Sequence, residues 1–141
     1  MINVNLNADL GEGTNIEKVI MPFLSSCSIA CGGHTGDADT MSEAIQIAVE
    51  NNVKIGAHPS YPDKDGFGRI PISISNKDLS KSLISQINSL KQILNDFQIN
   101  LDHIKPHGAL YNLSAKNYDL AMLLILSLIH ISDPTRRLVI S

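Results

Sequence analysis

Residues 105–112 place a lysine, a histidine, a tyrosine and an asparagine beside a proline and a glycine. Pro106 fixes its own φ angle and Gly108 permits a sharp turn, so this stretch suits the exit of a strand that directs polar side chains into a cleft. Imidazole can transfer protons there, and a lysine can stabilise negative charge. The alternative is an ordinary turn whose polar residues face water. The candidate residues of this stretch are Lys105, His107, Tyr111 and Asn112.

Three earlier segments repeat this pattern of polar residues beside Gly or Pro. They carry Asp9 with Glu12, His34 with Asp37, and His58. A single histidine is more often a structural residue, but three at successive predicted strand ends favour a site, because the carboxyl ends of parallel strands share one edge of a sheet. The irregular loop of residues 60–69 adds Tyr61 and Arg69 as candidate substrate-binding residues.

The elements that must position these residues alternate between strand and helix. Alternating or buried apolar runs predict strands at residues 2–7, 27–31, 53–57 and 101–104. Apolar residues at spacings of three and four predict a helix that Thr35 or Asp37 caps and a long helix that Ser75 or Asn76 caps. Residues 16–24 suit a short helix interrupted by Pro22. His103 lies inside the last strand and is left out of the site. The order βαβαβαβα predicts an α/β fold with a parallel sheet.

Composition limits the classes of function. A chain of 141 residues predicts at most one ordinary domain, and a net charge of −3 without a basic stripe argues against a nucleic-acid partner. No signal peptide is visible, and the apolar run of residues 120–131 is too short for a membrane span. Cys27 and Cys31 are the only cysteines, and we interpret them as reduced thiols of a cytoplasmic protein.

The candidate residues support two kinds of chemistry. In the first, Asp9 with His34, His58 or His107 holds a divalent metal that activates water. In the second, a histidine and a carboxylate act as general base and acid on an amide, while Lys105 stabilises negative charge on oxygen or phosphate. Cys31 would need a depressed pKa to act as a nucleophile, so we interpret it as a buried structural thiol.

Four segments, residues 5–13, 29–37, 55–63 and 105–112, resemble the LamB/YcsF family, and the resemblance covers roughly residues 1–122. It implies an incomplete (β/α) barrel of the glycoside hydrolase/deacetylase type with about four βα units. It also implies a hydrolase that opens the cyclic amide 5-oxoproline to L-glutamate, with ATP and Mg²⁺ as co-substrate. The partners that it implies are subunits B and C of 5-oxoprolinase.

The resemblance also implies roles for the candidate residues. Lys105 would bind the phosphate or the oxyanion, and Arg69 would pair with the substrate carboxylate. The histidines would transfer protons, while Asp9 and Glu12 would orient a histidine, activate water or hold a metal. The alternatives are a metal-dependent amide or polysaccharide deacetylase and a non-catalytic subunit that binds substrate or partners.

The last part of the chain departs from the family pattern. We expect residues 1–125 to form a partial barrel domain and residues 126–141 to form a divergent tail. The segment 126–136 resembles a translated sequencing adaptor, so we interpret the tail as an assembly artefact; the alternative is a genuine short variant. We expect the chain alone to be inactive, because a barrel without its closing strands leaves an open edge.

Overall fold

The computed structural model describes residues 3–129, residue 131 and the backbone of residues 137 and 138. Its centre is a parallel sheet whose strands follow one another in chain order, and each neighbouring pair is parallel. The strands are β1 (Asn7–Leu10), β2 (Ser26–Ala30), β3 (Lys54–His58), β4 (His103–Ile104) and β5 (Arg137–Leu138). This sequential order confirms the prediction of an incomplete (β/α) barrel.

Helices connect the strands. They are α1 (Glu17–Ile20), α2 (Ala38–Glu50), α3 (Asn76–Asp96), α4 (Gly108–Ser114) and α5 (Tyr118–Leu128), with a 3-10 turn at Met21–Phe23 after α1. The Asp37 carboxylate accepts a hydrogen bond from the backbone N–H of Thr40 and begins α2, and the Ser75 hydroxyl begins α3 in the same way. Asp37 and Ser75 are each one of the two caps predicted for their helix.

The first strand lies further along the chain than we predicted. Periodicity placed it at residues 2–7, but it begins at Asn7 and continues through Leu10. A strand needs a partner, and β2 begins only at Ser26, which pairs with Asn7. The apolar side chains of Val4 and Leu6 are consequently exposed. The shift places Asp9 within the strand rather than in the turn after it.

Two apolar clusters hold the sheet against its helices. The larger one joins the strands to α2 and the second half of α3, with Ile29, Ile45 and Leu90 fully buried. The smaller one joins the first half of α3 to α4 and α5 through Leu83, Leu110 and Leu124. Because α4 follows β4 directly, this second cluster fixes the segment that carries residues 105–107.

Helix α5 continues into the segment predicted to diverge, and Ser127 and Leu128 are buried there. Residues 130, 132–136 and 139–141 of the predicted tail lie outside the described residues. Within the part of the chain that the structure describes, no helix is long and apolar enough to cross a membrane.

Candidate functional site

Three imidazoles meet at the carboxyl ends of the central strands. His58 is the last residue of β3, while His34 follows β2 and His107 follows β4. Their relative exposures are 1%, 1% and 9% for His34, His58 and His107. The carboxyl ends of parallel strands lie at one edge of the sheet, so these three residues share a small buried volume although they are far apart in sequence.

Glu12 completes a group of four ligand atoms around this volume. Its Oε1 lies 2.8 Å from Nε2 of His34, while Nε2 of His58 lies 3.0 Å from Nδ1 of His107. One ligand atom from each of the four residues lies within 4.8 Å of all the others. Imidazole nitrogens with one carboxylate oxygen are a donor set that suits zinc and related ions.

Asp9 and Lys105 form an ion pair beside this group. Oδ1 of Asp9 accepts a hydrogen bond of 2.6 Å from Nζ of Lys105, and Oδ2 lies 3.4 Å from Nε2 of His58. Both side chains are about one-third exposed. The sequence predicted Asp9 as the carboxylate of a metal group, but the four mutually close ligand atoms include an oxygen of Glu12 instead. Asp9 lies at the edge of the cleft, where it pairs with Lys105.

Burial and neighbouring charges shift the pKa values of three of these groups. Burial lowers the pKa of His58 to about 4, although Asp9 and the carbonyl of Lys105 act in the opposite direction. Burial also lowers the pKa of His107, and His34 lowers it further. Burial alone would raise the pKa of Glu12, but the contact with Nε2 of His34 and the proximity of the other two imidazoles hold it below its usual value. His58 and His107 are therefore neutral at pH 7.

The remaining predicted residues lie further from the four-residue group. Asp37 is exposed and caps α2, while Tyr61 is buried among the apolar residues of the smaller cluster, which raises its pKa. The exposed guanidinium of Arg69 lies 4.9 Å above the ring of Phe67, which contacts the rings of His34 and His107. Tyr111 and Asn112 lie on α4.

Sequence reasoning missed a buried layer behind His34. The Ser60 hydroxyl lies 3.0 Å from Nδ1 of His34, and the side-chain amide of Gln86 bonds both backbone groups of Ser60 at 3.0 and 2.9 Å. Gln86 is a polar residue on the otherwise apolar face of α3, between Leu83 and Leu90. That interruption was the signal available in the sequence, since a buried amide requires hydrogen-bond partners.

His103 belongs to a separate polar contact inside the sheet. Its Nε2 lies 2.9 Å from the Ser28 hydroxyl and its Nδ1 lies 3.1 Å from Asp102. A methyl group on Gly56 would collide with the ring, so the glycine makes room for it. This buried imidazole has partners within the fold and lies outside the group of four.

Cys31 has the character of a buried structural thiol. Burial raises the pKa of Cys27 and of Cys31 to about 12, and both are free. At neutral pH a thiol with such a pKa is almost entirely protonated and a poor nucleophile. The chemistry of the cleft therefore rests on carboxylates, imidazoles and Lys105.

Comparison with known proteins agrees with the strand-end motifs. The model of the LamB/YcsF family matches residues 4–140. The chain belongs to the LamB/YcsF family. Two similar relatives of this LamB/YcsF chain are each named as the A subunit of 5-oxoprolinase. The one from Haemophilus influenzae (strain PittEE) is 41% identical over 138 residues, which is 98% of this chain and 56% of that protein.

The second relative, from Erwinia tasmaniensis, is 44% identical over 120 residues, which is 85% of this chain and 49% of that protein. This LamB/YcsF chain thus spans about half the length of the curated relatives that it matches.

Solved structures show the same fold. The lactam utilization protein from Thermus thermophilus superposes with a TM-score of 0.93 at 34% identity, covering 99% of this chain and 58% of that one. A putative cellobiose-phosphate cleavage protein from Enterococcus faecalis V583 gives a TM-score of 0.63 at 15% identity, over 95% of this chain and 57% of that one. The second likeness concerns the fold alone.

Proposed function

We propose that this chain contributes the A-subunit part of a 5-oxoprolinase, a hydrolase that opens 5-oxo-L-proline to L-glutamate with hydrolysis of ATP. The observation that carries the proposal is the 41% identity, over 98% of the chain, to a protein named as the A subunit of 5-oxoprolinase. The site supports it, because a lysine, two carboxylates and three imidazoles are what amide hydrolysis through a charged intermediate needs.

The chemistry explains why ATP is required. A lactam amide is a weak electrophile, and hydrolysis must open a favourable five-membered ring. Transfer of the γ-phosphoryl group of Mg²⁺-ATP to the amide oxygen releases ADP and makes the ring carbon reactive. One water molecule then adds at that carbon, and cleavage of the carbon–nitrogen bond leaves an acyl phosphate of glutamate. A second water molecule hydrolyses the acyl phosphate and releases phosphate, so that two water molecules and one ATP are consumed for each glutamate.

Each side chain has a proposed role that fits its place. Lys105 is partly exposed at the edge of the cleft, where its charge can reach a phosphate or an oxyanion. His58 and His107 are neutral at pH 7, which leaves each ring one lone pair that can accept a proton or bind a metal ion, while Glu12 orients His34. Arg69 is the proposed partner of the substrate carboxylate, since a guanidinium binds a carboxylate with two hydrogen bonds.

The remaining site residues are weaker candidates. Asp37, Tyr61, Tyr111 and Asn112 stay proposed substrate-binding residues, and Tyr61 also packs in the smaller apolar cluster. Subunits B and C of 5-oxoprolinase are the proposed partners. The cytoplasm is the proposed location, because both cysteine thiols are free.

The group of four residues favours a second candidate, a metal-dependent amide or polysaccharide deacetylase. A divalent ion at this group would supply an activated water molecule. The two candidates differ in their need for ATP. Glutamate formation from 5-oxoproline by the full-length protein with its partner subunits should require ATP. Absence of ATP-dependent glutamate formation would contradict the first candidate, whereas deacetylation without ATP, abolished by a chelator, would support the second.

A further inference from the structure

Two imidazoles of the cleft have their tautomers fixed by backbone carbonyls. Nδ1 of His58 lies 2.7 Å from the carbonyl oxygen of Lys105, and Nε2 of His107 lies 2.9 Å from the carbonyl oxygen of Phe67. A carbonyl oxygen only accepts hydrogen bonds, so both nitrogens must carry hydrogen. In the neutral rings, Nε2 of His58 and Nδ1 of His107 are therefore bare lone pairs.

The third imidazole is fixed by a hydroxyl. The Ser60 hydroxyl donates its hydrogen to the carbonyl oxygen of Tyr61 at 2.9 Å. It must therefore accept from Nδ1 of His34 at 3.0 Å. Nε2 of His34 is then also a bare lone pair in the neutral ring, and it faces the Glu12 carboxylate.

With these tautomers, hydrogen-bond acceptors without a hydrogen between them face each other at the centre of the group. The bare nitrogens of His58 and His107 are 3.0 Å apart, and the bare nitrogen of His34 is 2.8 Å from the Glu12 oxygen. Either added protons or one cation must lie between them. Separate protons would place two positive imidazoles in a buried volume, which is costly, whereas one central cation satisfies all four acceptors with neutral rings.

The spacing of the four atoms fits a small tetrahedral ion. Four donors at zinc bond lengths of about 2.0–2.2 Å lie roughly 3.3–3.6 Å apart. The Glu12 oxygen lies 2.8, 3.7 and 3.8 Å from the ligand nitrogens of His34, His107 and His58, and the last two nitrogens are 3.0 Å apart. The remaining two separations are within 4.8 Å. Only small shifts of the side chains are therefore needed.

We propose that this group binds one divalent transition-metal ion of the zinc class. The ligands are Nε2 of His34, Nε2 of His58, Nδ1 of His107 and a carboxylate oxygen of Glu12. The carbonyls of Lys105 and Phe67 and the hydroxyl of Ser60 are the outer partners that aim the lone pairs inward. The proposal rests on these contacts and holds whatever the substrate of the cleft is.

The test uses zinc alone, with the full-length protein purified without a polyhistidine tag. After removal of metals with a chelator, calorimetric titration with zinc should give one site for each chain, and cobalt should give the visible absorption of a tetrahedral site. His34→Asn should weaken zinc binding by roughly 100-fold or more, and Ser60→Ala, which removes only an outer partner, by about 10- to 100-fold.

His103→Asn is the matched control, because it removes a buried imidazole outside the group and should leave the zinc stoichiometry unchanged. Glu12→Gln keeps the shape of the side chain and removes its charge, so it tests the site if His34→Asn does not fold. Failure of the chelated wild-type protein to bind zinc would overturn the proposal, as would equal zinc affinity in the wild type and Glu12→Gln. Because no substrate is present, neither result depends on the proposed 5-oxoprolinase activity.

Discussion

The imidazole rings of His34 and His107 are stacked face to face, with centroids 3.7 Å apart and planes inclined by 10°. Two positive charges at that distance in a buried cleft would repel strongly, so the stack carries at most one. Burial lowers the pKa of His107, and His34 lowers it further, so His107 is neutral at pH 7. The stack thus holds a lone pair of His107 toward the centre of the cleft.

Gly68 makes this stack possible, and Gly68→Ala should disrupt it. The residue has a φ angle of +63°, and a Cβ atom there would lie 3.0 Å from Cβ of His34 and 3.2 Å from Cδ2 of His107. We expect the free energy of unfolding to fall by about 2–3 kcal/mol, which combines left-handed backbone strain with close contacts. Urea unfolding measures this change.

Gly13→Ala is the matched control for Gly68→Ala. Gly13 has a φ angle of +80°, but a Cβ atom there would meet nothing within 4 Å. It should therefore show only the backbone cost of about 1–2 kcal/mol. Equal losses in the two variants would contradict the view that Gly68 is needed for the packing of the rings.

Lys105→Met should lower the activity of the enzyme and leave its free energy of unfolding almost unchanged. The Asp9–Lys105 pair is partly exposed, so its loss should change the free energy of unfolding by less than about 1 kcal/mol. If Lys105 stabilises charge in the transition state, kcat of the assembled enzyme should fall by about 100-fold or more. Lys77→Met, at an exposed position of α3, should change neither quantity. Unchanged ATP-dependent glutamate formation in Lys105→Met would remove this residue from the site.

Gln86→Leu should destabilise the layer behind His34. Leucine would leave the backbone N–H and C=O groups of Ser60 buried without their present partners. Each such loss costs about 1–3 kcal/mol, so we expect a total loss of roughly 2–6 kcal/mol in the free energy of unfolding. Gln46→Leu on the exposed face of α2 should cost less than about 0.5 kcal/mol. Similar urea midpoints for the two variants would show that the Ser60 contacts contribute little.

The two cysteines predict a dependence of stability on alkaline pH. Folding raises their pKa values from 9.0 to about 12, so the folded state holds thiol protons that the unfolded state releases. This contribution is fully present below pH 9 and is lost as the pH rises toward 12. The double variant Cys27→Ala/Cys31→Ala should show a shallower decline of unfolding free energy above pH 9 than the wild type.

The same burial predicts slow chemical modification. At pH 8 the native protein should resist thiol reagents, whereas protein unfolded in urea should react at both cysteines within the time of mixing. Rapid labelling of the native protein would contradict the burial of Cys27 and Cys31.

The sequence by itself determined the order of the first four strands and the helices between them, two candidate caps for each long helix, and the family. These features are local, because the apolar spacing of α3 and the Ser75 and Asp37 caps depend only on neighbouring residues. The parallel arrangement then follows from the alternation of strands and helices. The predicted start of β1 was wrong, because the strand begins only where β2 can pair with it, at Asn7 and Ser26.

The tertiary structure alone decided how the residues of the cleft are arranged. Glu12, not Asp9, lies close to all three imidazoles, while Asp9 pairs with Lys105. The carbonyls that fix the histidine tautomers and the Ser60–Gln86 layer come from segments distant in sequence. Backbone carbonyls exist at every residue, so no pattern of side chains could indicate which of them would face an imidazole. That pairing is set by the register of the parallel strands and by the packing of α3 against them.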